Sequence, residues 1–312
     1  MRKMGKSTRE AFGLALAALG DQYPDIVVLD GDVHNSTRTE HFARKFPERF
    51  FNVGIAESNL VSAAGGLAAS GKRAWLASFA CFVMCNAFDQ LRMSVAFPNA
   101  DVKVVGSHAG ISIGEDGPSQ MGIEDVALAC ALPNFTVVVP ADEPSTHKAV
   151  QALAQLRGPA YLRVGRPNVP IVYEGAVPFQ LGTANRLRDG TDLTIIANGL
   201  MVAAALDAAE QLAARGVSAR VLDMHTVKPL DEAAVLAAAR ETGRLVVAEE
   251  HLRHGGLGSA VAMSAARQHP VPMRFVALAD TYAESGPPEG LLQKYGLTAA
   301  DIAREALALV GR

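Results

Sequence analysis

The chain has 312 residues, 49% hydrophobic and 20% charged, which is enough apolar length for two ordinary α/β domains and far from a disordered composition. Lys and Arg number 29 against 32 Asp and Glu, so the net charge of −3 provides no basic field for nucleic acid. Three cysteines (Cys81, Cys85 and Cys130) cannot all pair and cannot build a four-thiolate zinc site, so they read as reduced residues of a cytoplasmic protein.

In chain order, the basic residues 2–6 and the apolar stretch 11–19 imitate a signal peptide. Phe12, Leu16 and Leu19 nevertheless fall on one helical face and Asp21 follows closely, so a helix over 7–19 of the mature domain is expected. No apolar run reaches the ~18 residues of a membrane span, and no membrane association is expected. Short β-branched runs at 25–29, 50–53, 73–77, 102–105, 136–139 and 160–164 alternate with helical patterns at 56–69, 82–96, 123–131 and 143–156. That alternation predicts a parallel sheet covered by helices. Residues 166–187 break the rhythm with Pro167, Pro170, Gly175, Pro178 and Gly182 and read as a linker. Strands near 193–197, 219–222, 245–248 and 274–277 then alternate with helices at 201–215, 231–241, 258–267 and 298–310. The expected architecture is α/β with two domains, residues 1–175 and a smaller one at 185–312.

Open parallel sheets bind ligands beyond the carboxyl ends of their strands. Polar residues gather there: 30–38 after the first strand, Glu57 after the second, and Gly165-Arg166 after the last. The longest loop, about sixteen residues from 106 to 122, contains His108 and Gly114-Glu115-Asp116-Gly117-Pro118-Ser119-Gln120; loops of that length in compact domains usually serve function. Each feature also has an ordinary reading. Asp-Gly pairs make turns, Glu57 complements a helix dipole, Phe79 and Phe82 fill a core, and His108 is a bonded loop histidine.

The run Gly106-Ser107-His108 through Ser112-Ile113-Gly114-Glu115-Asp116-Gly117-Pro118-Ser119-Gln120-Met121 resembles transketolase, a thiamine-diphosphate enzyme, in its animal type. Ser7-Thr8-Arg9, Leu29-Asp30-Gly31-Asp32 with Asn35-Ser36-Thr37, Ile55-Ala56-Glu57, Phe88-Asp89-Gln90-Leu91-Arg92 and Val227-Lys228-Pro229-Leu230-Asp231 match in the same order. The resemblance spans essentially the whole chain. It implies a pyrimidine-binding domain followed by the family's C-terminal domain, and transfer of a two-carbon ketol unit between sugar phosphates.

The same resemblance implies roles for individual residues. Glu57 would share a proton with the aminopyrimidine ring of thiamine diphosphate, and Phe79 and Phe82 would pack on that ring. Gln120 would lie at cofactor and substrate without acid–base chemistry, because an amide does not titrate. Arg9, Ser36 and Arg166 would hold the substrate phosphate. His108 and Asp116 would contact sugar hydroxyls or the carbonyl, with His108 also handling protons. Two positions depart from relatives: Asn86, where Arg often stands, and Glu284, where a basic residue often precedes Ser-Gly.

The family's diphosphate and magnesium segment, Gly-Asp-Gly with a later Asn, has no counterpart here, so no metal ligand is assigned to this chain. The resemblance is therefore to one subunit of a split transketolase. Mg2+ and diphosphate would be held by a separate N-terminal subunit in an α2β2 assembly, and the isolated chain could dimerise. The alternatives are a 1-deoxyxylulose-5-phosphate synthase-like subunit, the β subunit of a 2-oxoacid dehydrogenase, and a non-catalytic homologue. Ser-Gln-Met after Gly117-Pro118 argues against the first, the Gly-Glu-Asp-Gly-Pro loop against the second, and the retained Glu57, Phe82 and His108 against the third.

Overall fold

The computed structural model describes residues 2–311. The apolar runs form two sheets. The first has seven strands in the order Thr226–Lys228, Thr136–Val138, Ala160–Arg163, Val102–Ser107, Arg73–Phe79, Ile26–Asp30 and Phe50–Asn52. All its pairings are parallel except that of Thr226–Lys228, which is antiparallel. The second has five, in the order Met273–Leu278, Leu245–Leu252, Leu193–Ala197, Ala219–Asp223 and Asn185–Arg188, the last antiparallel. The two-domain α/β expectation therefore holds. Thr226–Lys228 lies within the second half of the sequence yet completes the edge of the first sheet.

Central strands such as Ile26–Asp30 and Val102–Ser107 are buried along their whole length, which is why they read as mainly apolar runs, with Lys103 buried among them. The helix Thr8–Gln22 starts where Ser7 Oγ accepts from the Glu10 N–H, and it buries Phe12, Leu16 and Leu19 as their spacing predicts. Phe12 stacks on Trp75 with ring centroids 6.3 Å apart. Burial of side chains this large contributes roughly 1.5–3 kcal/mol each. Asp142 and Ser145 form a reciprocal cap at the start of Glu143–Gln155.

Four short strands lie outside the expected set. Met4–Ser7 pairs antiparallel with Asn168–Pro170 inside the expected linker, and Asn185–Arg188 and Thr226–Lys228 are sheet edges. The single helix expected over 82–96 is instead two wide turns, Phe82–Asn86 and Leu91–Ala96, flanking Phe88–Gln90. No helix among the described residues is long and apolar enough to cross a membrane.

Candidate active site

The register of the first sheet brings the polar segments together. Asp30 pairs with Ala77, Phe79 with Ser107, and Gly106 with Arg163, so their strands end side by side. Phe79 consequently stacks on His108 with centroids 3.9 Å apart and planes 18° apart. Its other ring neighbour is Phe82, at 5.4 Å and 6°. His108, Phe79 and Phe82 thus form a run of near-parallel rings at the end of the sheet.

Arg9 enters from the first turn of its helix, which Gly165 holds: the Gly165 N–H donates to Thr8 Oγ1 at 2.7 Å. Arg9 Nη1 lies 3.0 Å from the Ser36 carbonyl and 2.9 Å from His108 Nε2. A guanidinium only donates, so His108 Nε2 accepts and the ring's proton sits on Nδ1. Nδ1 then donates to Ser107 Oγ at 2.9 Å, and Ser107 Oγ donates to the Ser78 carbonyl at 3.3 Å. Burial, followed by the charges of Arg9, Arg166 and Arg38, brings the His108 pKa down to about 3, so the ring is neutral at physiological pH.

Arg9 has no comparable compensation. Its Nε is buried without a hydrogen-bond partner, and both Nη1 contacts are to neutral groups. Burial, then Arg38 and Arg166, lower its pKa to about 10, against weaker opposing charges from Glu10 and Asp116. Arg38 and Arg166 differ from it. Arg38 is paired with Glu10 at 3.1 Å and Glu40 at 3.2 Å. Arg166 lies 3.1 Å from Glu115 and 3.6 Å from Asp116, and it donates to the Ile113 carbonyl at 2.5 Å. The cluster is therefore poised for an anion.

Ser36 contributes its carbonyl to Arg9, and the turn that carries it is fixed by Asp30. That buried carboxylate accepts from the Val33 N–H and from the hydroxyls of Thr37 and Thr39 at 2.7–2.8 Å. Glu57 opens the helix Glu57–Ala69 and is buried; Asn86 Nδ2 donates to its Oε2 at 3.4 Å. A neutral amide therefore faces the carboxyl group. Gln120 is half-buried and accepts from Ser119 Oγ at 2.8 Å. Glu284, the other departure, is exposed and ion-paired with Lys294. The sequence reading included Arg38 and Ser107 in its segments but gave them no role, because their contacts arise only in the folded chain.

The described residues contain no group of three or more His, Cys, Asp or Glu side chains placed to hold a metal ion. A parallel aromatic pair and a buried carboxyl whose one described side-chain contact is an amide are chemically suited to the apolar faces and ring nitrogens of an aminopyrimidine.

Fold and site together define a two-domain α/β chain with arginines, a stacked aromatic pair and a buried glutamate beyond the strand ends of its first sheet. The chain matches the profile "Transketolase, pyrimidine binding domain" over residues 4–172 and "Transketolase, C-terminal domain" over 182–302, and it belongs to the transketolase family. It is 43% identical over 282 residues to a 6-deoxy-6-sulfo-D-fructose transketolase subunit of a Clostridium species, covering 90% of this chain and 87% of that one. It is 38% identical over 303 residues to an apulose-4-phosphate transketolase subunit of Phocaeicola vulgatus, covering 97% of both. A solved split-gene transketolase, described as an inactive β4 tetramer, superimposes with a TM-score of 0.92 at 45% identity, over 98% of this chain and 99% of that chain. Against mouse transketolase-like protein 2, 41% identical over 300 residues, the chain spans about half the relative's length, 47%.

Proposed function

We propose that this chain is the pyrimidine-side subunit of a two-chain, thiamine-diphosphate-dependent transketolase that moves a two-carbon ketol unit between sugars carrying an anionic head group. In this reading residues 1–175 are the pyrimidine-binding domain and 185–312 the C-terminal domain. The observation that carries the proposal is the half-buried Arg9 guanidinium, paired with no carboxylate and bonded to a neutral His108 beside the Phe79–Phe82 pair.

Bound thiamine diphosphate supplies an acidic thiazolium carbon and its own aminopyrimidine base. Glu57 shares a proton with the pyrimidine ring, and the two phenylalanines exclude water from it. Arg9, the Ser36 turn and Arg166 hold the head group; Glu115 and Asp116 occupy Arg166 until an anion displaces them. His108 Nε2, an acceptor in the resting site, takes a hydrogen bond from a sugar hydroxyl once Arg9 turns to the anion. Asp116 and Gln120 supply further polar contacts to the sugar. Phosphate and sulfonate head groups both suit this guanidinium chemistry, as the names of the two bacterial relatives illustrate.

The diphosphate and its magnesium need oxygen ligands from a separate N-terminal subunit. Four large apolar side chains are exposed on and around the segments that carry Glu57 and Phe82: Phe51 (42%), Ile55 (82%), Met93 (48%) and Phe97 (81%). They supply an apolar face for that partner in an α2β2 assembly, or for a second copy when the chain is alone. The free thiols of Cys81, Cys85 and Cys130 suit a reducing cytoplasm. The test is ketol transfer from xylulose 5-phosphate, or from a sulfonated ketose, with both chains present. Decarboxylation of pyruvate without ketol transfer would overturn the reading.

A further inference from the structure

We propose that Glu250, from the second domain, is a positioning residue that sets the geometry of His108; the inference rests on the reading of His108 as a site residue. Glu250 sits near the end of the strand Leu245–Leu252 and is 4% exposed. Its Oε1 accepts from the Ser112 N–H at 2.6 Å, across the domain boundary. The same carboxyl group packs on Gly110, where a Cβ would lie 2.2 Å from its carboxyl carbon. Gly110 has φ +81°, and His108, two residues earlier, has φ +55°, so the chain turns through two left-handed positions, the second of them directly over this carboxyl group.

The contact is one of a series. Arg163 Nη2 donates both to the Glu250 carbonyl at 2.9 Å and to the Gly122 carbonyl at 3.0 Å, while its Nε is bonded to Asp125 at 2.8 Å. The Leu252 N–H donates to the Ile123 carbonyl at 2.8 Å. The far end of the 106–122 loop is therefore tied to the second domain through backbone groups and Arg163. The near end, next to His108, is tied through the Glu250 side chain. The Ser107–His108–Arg9 chain of hydrogen bonds fixes the imidazole plane, and Glu250 fixes the backbone from which that imidazole projects. Burial pushes the Glu250 carboxyl up to about 7, so a neutral group with an oxygen acceptor is a close substitute.

The experiment is imidazole NMR on the full chain, with His108→Asn assigning the resonance among the eight histidines. In the unaltered protein the His108 signal should not titrate between about pH 5 and 8 and should report a proton on Nδ1. In Glu250→Ala the ring should titrate towards the ordinary histidine range and lose its single tautomer, whereas Glu250→Gln should keep the original behaviour. With both chains present, Glu250→Ala should lose turnover on the order of 10²-fold, the cost of a small misplacement in a site, with a smaller change in KM; Gln should rescue it. If Glu250→Ala does not fold, Gly110→Ala forces the same contact from the loop side and should disturb the same signal. An unchanged His108 signal in a folded variant, or equal effects of Ala and Gln, would overturn the proposal. A disturbed signal with undiminished turnover would support the positioning and instead remove His108 from the catalytic site.

Discussion

Replacing Arg9 by Met separates a residue kept for a ligand from one kept for the fold. Arg9 donates to the Ser36 carbonyl and to His108 Nε2, and its loss removes two hydrogen bonds with a net contribution of about 1 kcal/mol each. Opposing this, the substitution removes a half-buried guanidinium whose Nε has no partner and whose charge is disfavoured by burial and by two neighbouring arginines. The two effects oppose each other, and stability should fall by no more than about 2 kcal/mol from that of the unaltered chain. Arg163 is the internal contrast: it is buried and bonded to Asp125, Gly122 and Glu250, so removing it strands the Asp125 carboxylate and should cost about 3–5 kcal/mol. For an anionic ligand the order reverses. Loss of a charge-assisted contact at Arg9 costs about 1.5–3 kcal/mol, roughly 10- to 150-fold in Kd. Urea unfolding of the variant, together with calorimetric titration of the two-chain enzyme with a sugar phosphate, measures both quantities. The His108 pKa should also rise from about 3 yet stay below 6.5, because burial is its larger cause and Arg9 the second. A loss of 3 kcal/mol or more in stability with unchanged anion affinity would refute the argument.

Glu57→Gln keeps the shape of the side chain but cannot share a proton with a pyrimidine, so turnover of the two-chain enzyme should fall by at least ~10²-fold; near-normal turnover would remove Glu57 from its role. Asp223 is buried, accepts from Tyr173 Oη at 2.6 Å, and has its carboxyl pushed up to about 7, chiefly by burial. Its folded pKa exceeds its unfolded one, so its contribution is complete below the ordinary aspartate range and is lost as pH rises through 7. Asp223→Asn should therefore show a smaller fall in Tm between about pH 5.5 and 8.5 than the unaltered chain, and an equal fall would show that Asp223 does not titrate there.

The parts of the molecule legible in the sequence are those whose signal is local. Phe12, Leu16 and Leu19 announce their helix by period, and strands buried on both faces announce themselves as apolar runs. Met4–Ser7 gives no such signal: it is largely exposed and becomes a strand only by pairing with Asn168–Pro170 across the whole first domain. Thr226–Lys228 is likewise a strand only because the other domain's sheet offers it an edge. The helix expected over 82–96 is interrupted between Asn86 and Phe88, where the Asn86 carbonyl also accepts from Ser58 Oγ. In the site, the strand-end rule located Glu57, His108 and Arg166, because parallel sheets concentrate chemistry at one edge. Arg9 lies on a helix that precedes the first long strand, and only the Ser7-Thr8-Arg9 match pointed to it. The strand-end segment 30–38 includes Arg38, whose φ of +70° places it in a short local turn, yet neither signal gave it a role. Nor did they reach Glu250, which is a strand-end residue of the other domain and meets the loop only through domain packing.

The central claim is that this chain supplies one side of a shared cofactor site, and cofactor binding tests it most directly. Thiamine diphosphate with Mg2+ should be titrated calorimetrically into the purified chain, into the purified N-terminal subunit, and into the two combined, with ketol transfer assayed in the same three samples. The account predicts tight cofactor binding and ketol transfer only in the combined sample, with both abolished when the partner is withheld. Ketol transfer by this chain alone would contradict it.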